Sequence, residues 1–131
     1  VAYTDAIKAT TGAELTITGN GTVSADWGAI VAMKDAKVVV VNGTFYGNES
    51  EVVFVQNSAS VEILGGSFKS IEYPEFTLNL KDSARDTASI VVKGGKYFNF
   101  NPADNAAEGA NTNFVAPGYT VEQEGDWYVV K

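Results

Sequence analysis

Cysteine and histidine are both absent from this 131-residue chain, which removes disulfides, thiol nucleophiles, imidazole bases and the usual zinc and iron ligands together. Any metal chemistry must therefore be oxygen-ligated, and no cofactor is expected. Cations are scarce as well. One arginine, Arg85, and eight lysines against 16 acidic residues leave a formal charge of −7. That balance argues against a phosphate-tracking surface, because nucleic-acid binding rests on clustered cations. No apolar run approaches the ~20 residues that span a bilayer, so neither nucleic acid nor membrane is an expected partner. No basic-then-apolar leader opens the sequence, and a start at Val1 in place of Met fits a processed product or an excised domain. The length suits one domain, 1–131, with a core of its own.

What the chain does have is a block that recurs four times, Ala-x-aliphatic-x-aliphatic followed by Gly-x-aromatic or Gly-x-Val. The copies start at Ala13, Ala36, Ala59 and Ala88, spaced 23, 23 and 29 residues apart, the range of one solenoid unit. Within each copy the aliphatics sit two apart (Leu15/Ile17, Val38/Val40, Val61/Ile63, Ile90/Val92), which aims them at one face of an extended strand. A fainter strand precedes each copy at Ile30/Ala32, Val53/Val55 and Leu78/Leu80. Polar turns ending in Ala36, Ala59 and Ala84 separate the two, and Arg85-Asp86-Thr87-Ala88 is an extra corner loop that lengthens the last interval.

Repeats of this size with no helical period cannot bury a face alone, so the copies must stack strand over strand, about 4.8 Å apart. The expected fold is all-β: a single-stranded right-handed parallel β-helix of about four to five coils. Gly43, Gly66 and Gly95 mark sharp corners, and Phe45, Phe68 and Tyr97, each two residues further on, form an interior stack. Residues 13–100 make the coils. Residues 1–12 read as a cap, with a short helix over Thr4–Thr10 that lids the first coil with Ile7. Residues 101–131 read as a loop and a hairpin cap turning at Glu124-Gly125-Asp126, covering the last coil with Trp127 or Tyr128 and Val129. Pro74 interrupts the pattern near Ser70–Glu75 and leaves strand register open there.

The opening from Tyr3 to Thr18 and the corners Gly65-Gly66-Ser67-Phe68 and Gly94-Gly95-Lys96-Tyr97 resemble the pectate-lyase-like superfamily of right-handed β-helices. The closing stretch, 95–105 continuing through Asn113–Val121, resembles a terminal cap of β-helix modules in bacteriophage structural proteins and gut-bacterial surface proteins. The resemblance implies the fold. It leaves function open among lyases, hydrolases, adhesins and viral fibres.

Catalysis finds little footing in the residues. Lyase chemistry of the pectate-lyase type implies an Arg or Lys base beside calcium-binding carboxylates on one sheet face, yet Arg85 falls in the corner insertion. The outward positions of the main strands hold Glu14, Lys37, Ser60 and Ser89, then Thr16, Val39, Glu62 and Val91, then Thr18, Val41, Leu64 and Lys93. No acidic trio stacks there, and hydrolysis by paired carboxylates would want one.

The same outward set supplies a sharper expectation. Val39, Val41, Leu64 and Val91 project from neighbouring coils, and strands apolar on both faces are normally covered on both. Two covers are open: a neighbouring copy, as in three-fold viral fibres, which predicts a homo-oligomer (a trimer), or the chain's own 98–118 segment. In the oxygen-rich loop 101–113, Asp104 and Glu108 are the metal candidates, although the spacing of a calcium loop is missing. Trp27, Tyr46 and Tyr73 are candidate glycan-stacking rings, with Phe54, Phe98 and Phe100 behind them; nothing in the sequence places them on one face. Sequons at Asn20, Asn42 and Asn48 largely coincide with corner chemistry. The expected role is a non-catalytic structural module of a virion or other extracellular assembly, such as a bacteriophage fibre, tail or head decoration. The alternative is a carbohydrate-binding or adhesive domain of a gut-bacterial surface protein, and the third reading is a small polysaccharide lyase or hydrolase.

Overall fold

The computed structural model describes residues 4–109 and 111–131. Each repeat contributes three short strands, one to each of three sheets. Sheet A holds β1 (Ile7–Ala9), β4 (Ile30–Ala32), β7 (Val53–Val55) and β10 (Leu78–Leu80). Sheet B holds β2 (Glu14–Ile17), β5 (Lys37–Val40), β8 (Ser60–Ile63) and β11 (Ser89–Val92). Sheet C holds β3 (Thr22–Ala25), β6 (Thr44–Gly47), β9 (Ser67–Ser70) and β12 (Lys96–Phe98), then adds β14 (Trp127–Val130) and β13 (Val121–Glu124). Every pairing between coils is parallel and keeps the repeat register, for example Leu15↔Val38 and Val38↔Val61 in sheet B. The result is a parallel β-solenoid of about three turns. That is fewer than the four to five coils expected. Four stacked layers enclose only three complete circuits, and beyond β12 the chain adds a single parallel bridge at Val115 and an antiparallel hairpin in place of a further full layer.

The expected N-terminal helix does not form. Ile7–Ala9 is instead the first strand of sheet A, paired in parallel with β4, and its backbone is tied in by Ala6 N–H to Gly28 O (3.1 Å) and Met33 N–H to Ala9 O (3.0 Å). A seven-residue helix would have to meet its own nucleation cost. The strand inherits a ready ladder from β4. Of the opening that carried the resemblance, Tyr3 lies outside the described residues.

Alternation divides each strand into an inward and an outward set. Inward lie Ile30, Val53 and Leu78 of sheet A, Val38, Val61 and Ile90 of sheet B, and the rings of sheet C, all buried. Phe45, Phe68 and Tyr97 stack at centroid separations of 5.2 and 5.1 Å with planes within 16° and 9°, because parallel in-register pairing repeats one side chain directly above the last. The Tyr97 hydroxyl, which cannot be left unpaired in an apolar core, donates to Gly94 O at 2.9 Å, and burial holds its pKa well above the ordinary tyrosine value. The corner before each ring must bend with positive φ and also pass the ring edge. Gly43 has φ 133°, and a Cβ there would sit 2.8 Å from Phe45 Cζ, so only glycine fits.

The turns between sheets A and B form a column of their own. Lys34-Asp35 (φ 52° and 65°) and Asn57-Ser58 (φ 50° and 62°) are two-residue left-handed turns one coil apart. In the next coil the 3-10 turn Asp82–Ala84 and the insertion replace them.

The last layer is closed in two ways. Val115 bridges Val92 in parallel, with Val92 N–H to Phe114 O at 2.8 Å. The expected hairpin forms, with β13 and β14 antiparallel, and it extends sheet C by pairing β14 with β12. In that position it does not lie flat over the open core. Alternation then turns Val130 into the core and leaves Trp127 on the outer surface, packed edge-on against Phe98 at 5.4 Å.

Candidate functional site

Three outward surfaces carry chemistry. On sheet B the register stacks Glu14, Lys37, Ser60 and Ser89 in one column and Thr16, Val39, Glu62 and Val91 in the next. Val39 and Val91 are half-buried. Just past the strand ends, Val41 is 39 % and Leu64 42 % exposed. Glu62 divides the two valines and is paired with Lys93 Nζ at 3.0 Å. A shallow groove of about 310 Å³ runs over this face, lined only by β5, β8 and β11. The described part of 98–118 lies elsewhere: its Phe114–Ala116 stretch adds to the edge of β11 and so closes the end of the stack, and the groove over the outer face of sheet B is lined by no described residue outside that sheet.

The second surface is a cavity of about 470 Å³ where sheet A ends, lined by Phe54, Phe76, Asn79, Lys81 and Glu108 among others. Glu108 has a side chain only 3 % exposed. Its Oε1 accepts from the edge amide of Leu80 at 3.2 Å and its Oε2 from Arg85 Nη2 at 3.0 Å. Arg85 also binds Asp82 at 3.1 Å. Burial pushes the Glu108 carboxyl up to about 7; Arg85 and the Leu80 N–H pull the other way, and Asp82 adds a small upward push. The metal candidates do not converge: Asp104 faces solvent, both oxygens of Glu108 are committed to protein donors, and no group of three acidic residues placed to hold a cation occurs among the described residues. Glu108 instead takes the place of a missing strand by satisfying the edge of β10. The one clue in the sequence was a lone arginine inside an insertion.

The third surface is the outer face of sheet C. Tyr46 pairs in register with Lys69, and Phe98 with Trp127. The two pairs are joined by Lys69 Nζ, 4.2 Å above the Phe98 ring, while Lys96 Nζ lies 4.9 Å from the Trp127 ring centre. Of the candidate glycan rings, Tyr46 belongs to this face. Trp27 and Tyr73 sit in the connections that follow β3 and β9, with Tyr73 beside Phe76 at 6.5 Å. Phe54 lines the sheet A cavity, and Phe100 is core. Trp127 was not anticipated here, since which sheet a hairpin joins is decided by tertiary pairing.

No helix among the described residues is long and apolar enough to cross a membrane. Compared with protein-family models, curated proteins and solved structures, the chain matches none of them. Its class is therefore defined by its own geometry, a capped parallel β-solenoid with three differently furnished faces.

Proposed function

We propose that this chain is a non-catalytic structural module of an extracellular assembly or virion, with a bacteriophage fibre, tail or head decoration as the leading case, and that its copies associate through the outer face of sheet B. One observation carries the proposal: Val39, Val41, Leu64 and Val91 crowd a flat face whose groove is lined by no described residue outside sheet B, and such faces are ordinarily buried. Charge supports a second copy as the cover. On a chain of net charge −7, this face sets Glu14 and Glu62 against Lys37 and Lys93, so two copies meet there without net repulsion between the facing charges. The coil is taken as a right-handed helix of the pectate-lyase-like kind, in keeping with the strong preference of parallel crossovers for that hand. Sedimentation equilibrium tests the association. The expected result is a single species of three times the 13.9 kDa chain mass, and a monomer at every concentration would sink it.

A second reading, a carbohydrate-binding or adhesive domain, is favoured by the rings of Tyr46, Phe98 and Trp127 sharing one outer face. Retention on immobilised glycans tests it.

A further inference from the structure

We propose that the outer face of sheet C is a binding strip for a glycan that carries carboxylate or sulfate groups. The inference rests on the carbohydrate-binding reading and names its ligand class and its site. Tyr46, Lys69, Phe98 and Trp127 follow one another on β6, β9, β12 and β14. They form a line three strand spacings long, roughly 14 Å. All four residues are half-exposed; Tyr46 offers apolar surface to the C–H face of a sugar, while Phe98 and Trp127 each carry a lysine ammonium over the ring, which sets the charged groups at the same level as the stacking surface. The neighbouring column, Thr22, Thr44, Ser67 and Lys96, runs parallel to this line and adds hydroxyls beside the rings.

Charge selects an anion. The strands β3, β6, β9 and β12 contain no Asp or Glu, whereas the chain as a whole has 16. Among the described residues no carboxylate lies within ion-pair distance of Lys69 or Lys96, as is also true of Lys8, Lys34, Lys37 and Lys81, whereas Lys93 and Lys131 are neutralised by Glu62 and Glu122. What sets Lys69 and Lys96 apart is that each ammonium is parked over an aromatic ring of the same face. Such a contact contributes only about 0.5–1 kcal/mol at an exposed site. It leaves the cation fully able to pair with an anion and already restricts the side chain, which lowers the ordering cost of binding. The outer face of sheet B, by contrast, sets Glu14 and Glu62 beside its lysines, so a polyanion is favoured on the strip over that face. The first carboxylates across the face, Glu122 and Glu124 on β13, bound it at one end.

Affinity electrophoresis in native gels tests the site, with alginate as the anionic glycan, dextran as the neutral one and poly-glutamate as an acidic chain without sugars. The wild type is expected to be slowed by alginate. K69Q/K96Q should raise the apparent dissociation constant about fivefold or more, and Y46A should weaken binding with the cations intact. K8Q/K34Q, which removes two lysines outside the strip, should bind as the wild type does, and thermal melting confirms that each variant is folded. Equal slowing by dextran and alginate would overturn the anionic ligand and leave the carbohydrate reading standing. No slowing by either would remove both. Slowing by poly-glutamate equal to that by alginate would reassign the face to an acidic protein surface, and an equal loss in K8Q/K34Q would reduce the effect to net charge; either result overturns the proposal.

Discussion

The outer faces of sheets B and C are built on the same coil, strand by strand and in the same register, yet they are furnished differently. Sheet B turns out valines, a leucine and a balanced set of charges, with Glu62 closed onto Lys93. Sheet C turns out rings and two lysines that no described carboxylate neutralises. Behind both lies one continuous interior of aliphatics and stacked rings. The contrast teaches that the inward half of each strand specifies the coil, while the outward half is free to specify a partner.

If that division is real, the largest effect comes from cutting the shared interior. Phe68 is the fully buried middle ring of the ladder, so Phe68→Ala should cost about 3–5 kcal/mol in urea denaturation. Tyr46→Ala, one coil earlier and on the outer side, should cost less than about 1 kcal/mol. Comparable losses at the two positions would break the distinction between inside and outside.

Next in size is the carboxylate at the end of sheet A. Glu108 is raised in the folded protein from 4.5 to about 7, chiefly by burial. The folded state therefore holds its proton more tightly than the unfolded chain does. The stability this provides is fully present below about pH 4.5 and is lost as pH rises through 7. Each tenfold difference in proton affinity is worth about 1.4 kcal/mol, so the loss is on the order of 3 kcal/mol at most. Glu108→Gln should flatten the curve across that window. Arg85→Ala, which removes the cation opposing the rise, should move the fall to higher pH. Stability that is level from pH 4.5 to 7 in the wild type would contradict the buried cap.

The smallest change sharpens the contrast between turns and faces. Ser58 holds φ 62° without being glycine, a conformation that strains an L residue. Ser58→Gly should stabilise by up to about 1 kcal/mol, reduced by the added freedom of the unfolded chain. Thermal melting would register it as a small upward shift with solution mass unchanged.

Much of this architecture was legible in the residues. The Ala-x-aliphatic-x-aliphatic block marks sheet B, and Gly-x-aromatic marks sheet C with its ring ladder, because parallel stacking copies one repeat onto the next. Legibility failed where a segment is short or its partner is remote. Thr4–Thr10 satisfies helix-capping chemistry and strand alternation equally well, and only β4 beside it decides between them. Trp127 looked like a lid because the hairpin is visible in the sequence whereas its pairing with β12 is not. Glu108 looked like a cation ligand in an oxygen-rich loop. Its actual partners, Leu80 and Arg85, lie 28 and 23 residues away, on an edge that exists only after folding. The outward aromatics of sheet C are plain in the sequence, but a shared face requires three strands and a hairpin in register.

The most direct measurement is solution mass by light scattering, taken in parallel on the wild type, V39K/V91K and K69Q/K96Q. With assembly assigned to sheet B and ligand binding to sheet C, the wild type and K69Q/K96Q should both have three times the chain mass, and V39K/V91K should fall to a folded 13.9 kDa monomer. A monomeric wild type, or a mass lost through the lysines and kept through the valines, would contradict the account.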